Sequence, residues 1–396
     1  MSAVTSTTSK AAAGAARPPR VLFIVAGMMQ YRVEFHRCLR RDLAEQGIVY
    51  DVAVSPASAH LEGRNDTTAL EFAKPIAGRW FRIGPMTLCW QSGLGEALRS
   101  DLVIVMQENK YLINYVLQIL RYAGGPKFAF YGHGRNMQVE KGLWRERFKR
   151  IFIRSADWWF AYTGISQRLV AETGYPASRI TNVENAFDTK TLAEEAASVT
   201  EAELDEFRQR IGIASRNVGV YVGALYAEKR IDFLIEAAKR IRARVPDFEL
   251  LVVGGGVDLP QVEVAAAEHP WIHATGPLFG RDKARALRLG QVFLMPGLVG
   301  LAILDCLAVG IPMVTTTYPY HSPEIDYLRD GENGLIVSPA DDVVIYADAV
   351  ARLFEDEPRR ARLAAQAMRD SARYSAEAMA AHFADGIVAA LAAPKL

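Results

Sequence analysis

The chain has 396 residues, of which 50% are hydrophobic and 23% charged, and 46 Lys and Arg almost balance 45 Asp and Glu. The net charge of +1 gives no electrostatic reason to expect nucleic-acid binding. No apolar run reaches the roughly 18 residues of a membrane-spanning helix. The three cysteines, Cys38, Cys89 and Cys306, have no spacing typical of a metal site or a disulfide framework, so we expect no metal and a reducing cytoplasm.

The length exceeds what one hydrophobic core usually fills, which favours two domains. Residues 1–19 are rich in Ser, Thr and Ala without the apolar stretch of a signal peptide, so they are predicted to be a disordered tail. After Arg20, apolar runs of strand length alternate with helical patterns, which is typical of α/β folds with parallel sheets. Strands are predicted near 20–25, 49–54, 102–106, 127–131, 157–161 and 180–184, and again near 217–222, 248–253, 272–275, 291–295, 312–316 and 334–337.

The two strand series predict two Rossmann-like, doubly wound domains. A polar helical segment between the series is the expected linker. The predicted boundaries are 20–190 for the first domain and 191–375 for the second, with a helix at 376–396 that packs back on the first. Ligands of doubly wound sheets bind beyond the carboxyl ends of the strands, so two facing domains would share a cleft lined by the residues just after each strand.

In the first domain, Gly27 follows the first strand, where its backbone could approach a diphosphate, and Arg32 is a candidate acceptor-binding residue. His133 lies between two glycines at the end of another strand, where an imidazole has room to contact a ligand. A structural role for this histidine remains the alternative. Asn136, three residues further on, is a second candidate for acceptor binding.

A basic amphipathic pattern over 141–154 could lie on an anionic membrane. The alternative is a helix whose apolar stripe faces its own sheet.

In the second domain, Gly223 ends a strand and is followed by Lys229 and Arg230, two adjacent cations in a strand-to-helix loop that suit a diphosphate. Solvated surface charges are the alternative.

Gly254 begins a glycine run after the next strand. The dinucleotide fingerprint is incomplete there, because its third glycine would fall at Leu259. The preferred interpretation is a glycine turn at which the backbone approaches the nucleotide base of the donor, or which simply turns the chain.

The segment FLMPGLVGLAILDCLAVGIPMVTT predicts a buried strand, a glycine loop and a helix that begins at Gly300. The amides of Gly300, Leu301 and Ala302 would point from the helix N-terminus and could hold a phosphate. Asp305, one turn further on, could bind sugar hydroxyls. A local cap or ion pair is the alternative for this carboxylate.

Together these segments resemble the retaining glycosyltransferases of family 4, which share the two-domain GT-B fold. VGALYAEKRIDFLIEA carries a glycine and a Glu-Lys pair that match the family, NAFD at 185–188 is similar to its Asn-Gly-Val-Asp, and the 293–316 segment followed by SPEIDYLRDGENGLIV resembles its nucleotide-sugar segment. The resemblance implies that Lys229 and the amides of Gly300 and Leu301 hold the donor phosphates and that Asp305 binds the ribose. His133 would lie near the transferred sugar, and Glu324 matches a glutamate common in the family.

The sequence departs from the family pattern in three ways. A pair of glutamates separated by seven residues becomes Gly297 and Asp305, an arginine becomes Ala224, and an aspartate becomes Gly255. The first glutamate normally contacts the transferred sugar. Arg230 could replace the missing charge.

The resemblance implies a retaining, metal-independent hexosyltransferase that uses a nucleoside diphosphate sugar as co-substrate and needs no cofactor. Its acceptor would be a glycan, glycolipid or natural-product precursor, and its place the cytoplasm or the inner face of the membrane. A nucleotide-sugar epimerase of the same fold, a non-catalytic nucleotide-sugar-binding protein and a dinucleotide oxidoreductase are the alternatives.

Overall fold

A computed structural model describes residues 17–58, 67–84, 86–134 and 152–396. The predicted disordered tail falls almost entirely outside the described residues, and so does most of the predicted amphipathic segment 141–154.

The first sheet has seven parallel strands in the order β3-β2-β1-β6-β7-β8-β9. Its central strands are buried on both faces, which explains their almost continuous apolar sequences. The strands are β1 (Arg20–Ala26), β2 (Val49–Ser55), β3 (Ala73–Pro75), β6 (Leu102–Met106), β7 (Lys127–Gly132), β8 (Trp158–Ala161) and β9 (Ile180–Asn182).

The second sheet has six parallel strands in the order β12-β11-β10-β13-β14-β15. Counted within this sheet alone, the order is 3-2-1-4-5-6, the Rossmann order, whose reversal point lies between β10 and β13. The strands are β10 (Val218–Val222), β11 (Glu249–Val253), β12 (Ile272–Gly276), β13 (Val292–Leu294), β14 (Met313–Thr316) and β15 (Gly334–Val337).

A two-stranded antiparallel hairpin, β4 (Gly78–Ile83) and β5 (Met86–Gln91), is inserted after β3. The sequence did not predict this hairpin or β3. All twelve strands that it did predict are present, with ends shifted by a few residues at most.

Helices cover both sheets. The one that matters most for the site, α10, begins at Ala302, two residues later than predicted, and ends where Gly310 adopts a φ of 75°. The α-helices in the described part of the chain are α1 (Val33–Glu45), α2 (Leu94–Ala97), α3 (Leu112–Leu120), α4 (Gly164–Glu172), α5 (Thr189–Ser198), α6 (Glu201–Ile211), α7 (Ile231–Arg244), α8 (Leu259–Glu268), α9 (Gly280–Leu289), α10 (Ala302–Val309), α11 (Val343–Glu355), α12 (Glu357–Ser371) and α13 (Ala376–Ala392).

The last helix, α13, packs against α1, β8 and β9 of the first sheet. Phe383 stacks on Phe160 with ring centroids 4.5 Å apart. Gly386 allows the close approach, because a Cβ there would lie 2.5 Å from Thr181 Oγ1. The chain therefore crosses between the two sheets twice, once after β9 and once before α13.

Candidate functional site

The carboxyl ends of the two sheets face each other. Tyr162 follows β8 and Asn185 follows β9, and the backbone carbonyls of both accept hydrogen bonds from the hydroxyl of Tyr327, beyond β14. Asp326 accepts from the amide of Ile165 at the start of α4. Residues that follow strands of both sheets therefore meet at one interface, as two facing doubly wound domains require.

Asn185 is the centre of the polar contacts at this interface. Its Oδ1 accepts hydrogen bonds from Arg32 Nη2 at 2.6 Å and from the Tyr131 hydroxyl at 2.7 Å. Its Nδ2 donates to Glu324 Oε1 at 2.6 Å. Arg32 also donates to the carbonyl of Ala186, so the structure places this predicted acceptor-binding residue among protein partners. Asn185 and Glu324 are almost fully buried, and the network fixes one domain against the other.

His133 lies at the carboxyl end of β7, as the sequence predicted, with its ring 4.3 Å from that of Tyr162. The residue is exposed. The surrounding protein nevertheless desolvates it and lowers the pKa of His133, an effect that Glu324 and Glu108 oppose. The imidazole is therefore neutral at pH 7, able to donate and accept hydrogen bonds. Asn136 lies outside the described residues.

The predicted backbone glycines have structural roles. Gly27 adopts a φ of 67° and its amide donates to the carbonyl of Ser55 at 2.9 Å. The amide of Gly223 donates to the carbonyl of Val253 at 3.0 Å. A Cβ at Gly254 would lie 1.9 Å from the carbonyl oxygen of Gly223, so the glycine run lets these two chain segments approach each other. A contact of the Gly254 backbone with the nucleotide base stays a prediction.

The loop between β13 and α10 is pressed against the segment that carries Lys229. A Cβ at Gly297 would lie 2.3 Å from the carbonyl oxygen of Glu228, and the amide of Leu298 donates to that same oxygen at 2.8 Å. No side chain fits at position 297 in this backbone. A side chain at this position would require the loop to move away from Glu228, and the glycine present here offers no side chain to a sugar.

Lys229 lies beneath this loop. Its side chain is 6% exposed, and Nζ donates to the carbonyl of Leu298 at 2.5 Å. Burial lowers the pKa of the Lys229 ammonium to about 8. No carboxylate of a described residue forms a salt bridge with it. Lys229 is thus a buried cation without a fixed counter-charge, and it lies next to the predicted phosphate-binding loop.

The loop also presents backbone donors. Among the described residues, none accepts a hydrogen bond from the amides of Gly300, Leu301 or Ala302, and all three positions are partly exposed. These amides begin α10, where the partial positive charge of a helix N-terminus favours an anion. Lys229 therefore contacts the same loop that carries Gly300.

His321 holds the loop from the other side. Its Nδ1 accepts from the amide of Val299 at 3.0 Å, and its Nε2 donates to the carbonyl of Thr316 at 2.9 Å. Burial lowers the pKa of His321, and the positive charge of Lys229 adds to this shift. The sequence analysis did not identify this residue. Its only signal was its position between a predicted strand and the SPEI segment.

Arg230 points away from Lys229. Its guanidinium donates to the carbonyl of Ala340 at 2.7 Å and pairs with Asp341, whose side chain is 93% exposed. Its Cζ lies 4.2 Å from the ring centroid of Phe233. The structure therefore gives Arg230 protein partners on the β15 side, and a direct contact with a diphosphate remains a prediction.

Asp305 forms a local ion pair, the alternative that its sequence position left open. It is 5% exposed, and its Oδ1 accepts from Lys283 Nζ at 2.7 Å. Lys283 belongs to α9, and its Nζ lies 5.7 Å from the ring centroid of Phe187. The proposed contact of Asp305 with ribose stays a prediction.

Comparison with known proteins gives the class. Residues 216–356 match the family model of Glycosyl transferases group 1. The chain is 31% identical over 186 residues to alpha-D-kanosaminyltransferase of Streptomyces kanamyceticus, covering 45% of this chain and 47% of that protein. It is 32% identical over 169 residues to a GDP-mannose-dependent alpha-(1-6)-phosphatidylinositol monomannoside mannosyltransferase of Mycolicibacterium smegmatis, covering 39% and 42%. The chain spans about half the length of the curated relatives it matches.

Solved structures give the fold. HepE from Anabaena, crystallised with UDP, superposes with a TM-score of 0.65 at 15% identity, covering 93% of this chain and 99% of that one. Sucrose-phosphate synthase from Thermosynechococcus elongatus superposes with a TM-score of 0.64 at 17% identity, covering 93% and 98%. The fold is GT-B, as predicted, and the match of residues 216–356 to the group 1 model agrees with the family resemblance.

Proposed function

We propose that the protein is a hexosyltransferase that moves a sugar from a nucleoside diphosphate sugar to an acceptor hydroxyl, with retention of the anomeric configuration and without a metal ion. The observation that carries this proposal is the buried ammonium of Lys229 beneath the unpaired amides of Gly300 and Leu301. A buried charge is costly unless it is paired, so a site built in this way favours a bound anion.

The chemistry follows from departure of the diphosphate. The bond between the anomeric carbon and the phosphate oxygen breaks, and negative charge grows on the leaving group. Lys229 and the helix N-terminus are positioned to stabilise that charge. The acceptor oxygen then forms its bond to the anomeric carbon on the same face. The proton of the acceptor hydroxyl passes to the leaving phosphate, so the step needs no paired carboxylates.

His133 and Glu324 belong to the other wall of the proposed site. A neutral imidazole at the end of β7 can hydrogen-bond hydroxyls of the transferred sugar. Glu324 is held by Asn185 and contributes to the electrostatic environment of His133. Position 297 has no side chain, so we propose that His133 and Glu324 contribute to sugar recognition in place of the family's first glutamate.

The named relatives support the donor and acceptor classes. HepE has been crystallised with UDP and with UDP-glucose, and one curated relative is described as GDP-mannose-dependent. That relative acts on a phosphatidylinositol monomannoside, and another is a kanosaminyltransferase. We therefore propose a nucleoside diphosphate hexose as donor and a glycan, glycolipid or natural-product precursor as acceptor.

We place the reaction in the cytoplasm, at the inner face of the membrane if the acceptor is lipid-linked. No helix of the described residues combines the length and the apolar character needed to cross a bilayer. Contact through 141–154 remains a proposal, because almost all of that segment lies outside the described residues.

The test is donor turnover. Purified protein is incubated with UDP-glucose or GDP-mannose and a panel of sugar, glycolipid and small-molecule acceptors, with and without EDTA. We expect acceptor-dependent release of nucleoside diphosphate that EDTA does not reduce, and an α-linked product by NMR from an α-linked donor. An inverted product or loss of turnover with EDTA would contradict the corresponding part of the mechanism.

The steric block at Gly297 supports a second candidate, a nucleotide-sugar-binding protein without catalysis. It predicts nucleoside diphosphate binding with no turnover on any acceptor. Conversion of the donor sugar to its epimer without an acceptor would instead indicate the epimerase.

A further inference from the structure

The hairpin of β4 and β5 has two different faces. Directly opposed residues of an antiparallel pair lie on the same face, and successive residues alternate. One face carries Trp80 and Cys89, which are opposed in the register and turned towards the protein. The other face carries three opposed pairs, which are Arg79 with Trp90, Phe81 with Leu88, and Ile83 with Met86.

The inner face fixes the hairpin to the carboxyl edge of the first sheet. Cys89 is fully buried in a small cluster with Ala26, the last residue of β1, and Tyr111, in the loop that follows β6. The amide of Cys89 donates to the carbonyl of Lys110 at 2.8 Å. Trp80 Nε1 donates to the carbonyl of Pro56, just beyond β2, at 3.0 Å. The hairpin therefore lies on the acceptor side of the proposed site.

The outer face is apolar and open to solvent. Ile83 and Met86 at the tip are 55% and 52% exposed, and Trp90 is 39% exposed. Phe81 and Leu88 lie between them and are partly exposed. Five apolar side chains on one two-stranded ribbon form a contiguous patch, unlike the singly scattered exposed apolar residues that are normal on a protein surface.

The charged side chains of the hairpin segment itself have one sign. Residues 76–95 contain Arg79 and Arg82 and no Asp or Glu. Both arginines are exposed, and neither forms an ion pair with a described residue. Arg82 donates only to the carbonyl of Gly84 at the tip. Aromatic and aliphatic side chains beside unpaired cations are the chemistry of an interfacial anchor on an anionic bilayer.

We propose that the outer face of the hairpin, defined by Arg79, Phe81, Ile83, Met86, Leu88 and Trp90, docks on an anionic lipid bilayer. Arg82, opposed to Thr87 on the other face, adds a second positive charge next to the tip. This proposal rests on the proposed function and narrows the acceptor to one that is embedded in or held at that bilayer. A second copy of the chain is a poorer partner. A symmetric contact would bring the arginines of both copies together without a neutralising carboxylate.

Vesicle binding tests the proposal without donor or acceptor. The protein is sedimented with vesicles of phosphatidylcholine alone or with one third phosphatidylglycerol, at low salt. We expect binding only to the anionic vesicles. Arg79→Gln with Arg82→Gln should weaken it about thirtyfold, since each cation near such a surface contributes about fivefold. Ile83→Ser with Met86→Ser should weaken it by about tenfold or more, because the tip loses its apolar contact.

Matched controls lie on the second domain. Arg216→Gln with Arg362→Gln removes the same charge from two exposed arginines that form no ion pair with a described residue, and Val264→Ser removes an apolar side chain that is 59% exposed. These variants should bind like the wild type. Melting temperatures within about 2 °C of the wild type show that each variant folds, since exposed substitutions rarely shift stability.

Three results would overturn the proposal. They are no wild-type binding to anionic vesicles, unchanged binding by both hairpin variants, and a concentration-dependent dimer in light scattering that the tip variant abolishes. The second result would assign any binding to another surface such as 141–154. Vesicle binding and donor turnover are measured separately, so either this proposal or the proposed function can fail while the other stands.

Discussion

Raising the pH should weaken donor binding, because the proposed ligand of the diphosphate is a lysine that loses its charge in the accessible range. Burial lowers the pKa of Lys229 to about 8. About nine tenths of the free protein then carries the ammonium at pH 7, and about one tenth at pH 9. If the diphosphate binds only the charged form, its affinity should fall about tenfold between these values, or ~1.4 kcal/mol.

Isothermal titration with UDP at both pH values and constant ionic strength measures this change. Lys229→Met is the control, because it keeps an unbranched apolar stem and removes the charge. We expect the variant to bind more weakly at pH 7 and to show no tenfold change, which also accounts for any titration of the diphosphate itself. Equal wild-type affinity at both pH values, or the same tenfold fall in the variant, would refute the reasoning.

In the absence of donor, the same lowered pKa of Lys229 makes the folded protein more stable as the pH rises. The unfolded lysine has its ordinary pKa of 10.5, so between pH 8 and 10.5 the unfolded chain binds more protons than the folded protein. The lysine's contribution therefore makes the folded state more stable as the pH rises through this window. Without donor, the free energy of unfolding of the wild type should therefore rise relative to that of Lys229→Met from pH 8 to pH 10, and a constant difference would contradict the burial of a charged lysine.

Three variants test the rest of the site. Gly297→Ala should lower stability by about 1–3 kcal/mol in urea unfolding, because its Cβ would meet the carbonyl of Glu228 at 2.3 Å, whereas Gly95→Ala, with no atom within 4 Å, should not. Asn185→Ala should cost about 1–3 kcal/mol of stability and lower kcat more than UDP affinity, since it leaves buried partners unsatisfied at the domain interface. Lys283→Met with Asp305→Leu removes a buried ion pair as a unit, so stability should change little while UDP affinity falls if Asp305 binds the ribose. Unchanged stability in the first two variants, or unchanged affinity in the third, would contradict the assigned roles.

The sheets were predictable because parallel strands buried on both faces have almost uninterrupted apolar sequences. Val218–Val222 and Glu249–Val253 are examples, and every residue in both is buried. The hairpin was missed for the opposite reason. Its strands, Gly78–Ile83 and Met86–Gln91, mix arginine with aromatic residues and leave an apolar face exposed, which is not the pattern of a half-buried strand.

The local backbone structure around the candidate site was predictable from neighbouring residues. The helix start near Gly300 follows from a strand, a glycine loop and an apolar helix in succession. The partners of each side chain depend on residues far along the chain. Lys283 pairs with Asp305, and Asn185 hydrogen-bonds to Glu324 across the interface. Neither pairing produces a periodic pattern in the sequence from which it could be predicted. The close contact between Gly297 and the carbonyl of Glu228 also depends on how the loop folds, so the sequence alone does not predict it.

A crystal structure of the protein with a nucleoside diphosphate tests the central claim most directly. We expect phosphate oxygens at roughly 3 Å from the backbone nitrogens of Gly300 and Leu301. Lys229 Nζ should then contact a phosphate oxygen instead of only the carbonyl of Leu298, which accepts from it at 2.5 Å in the free protein. A diphosphate bound elsewhere, for example along the glycine run at 254–256, with Lys229 still on Leu298, would contradict the account.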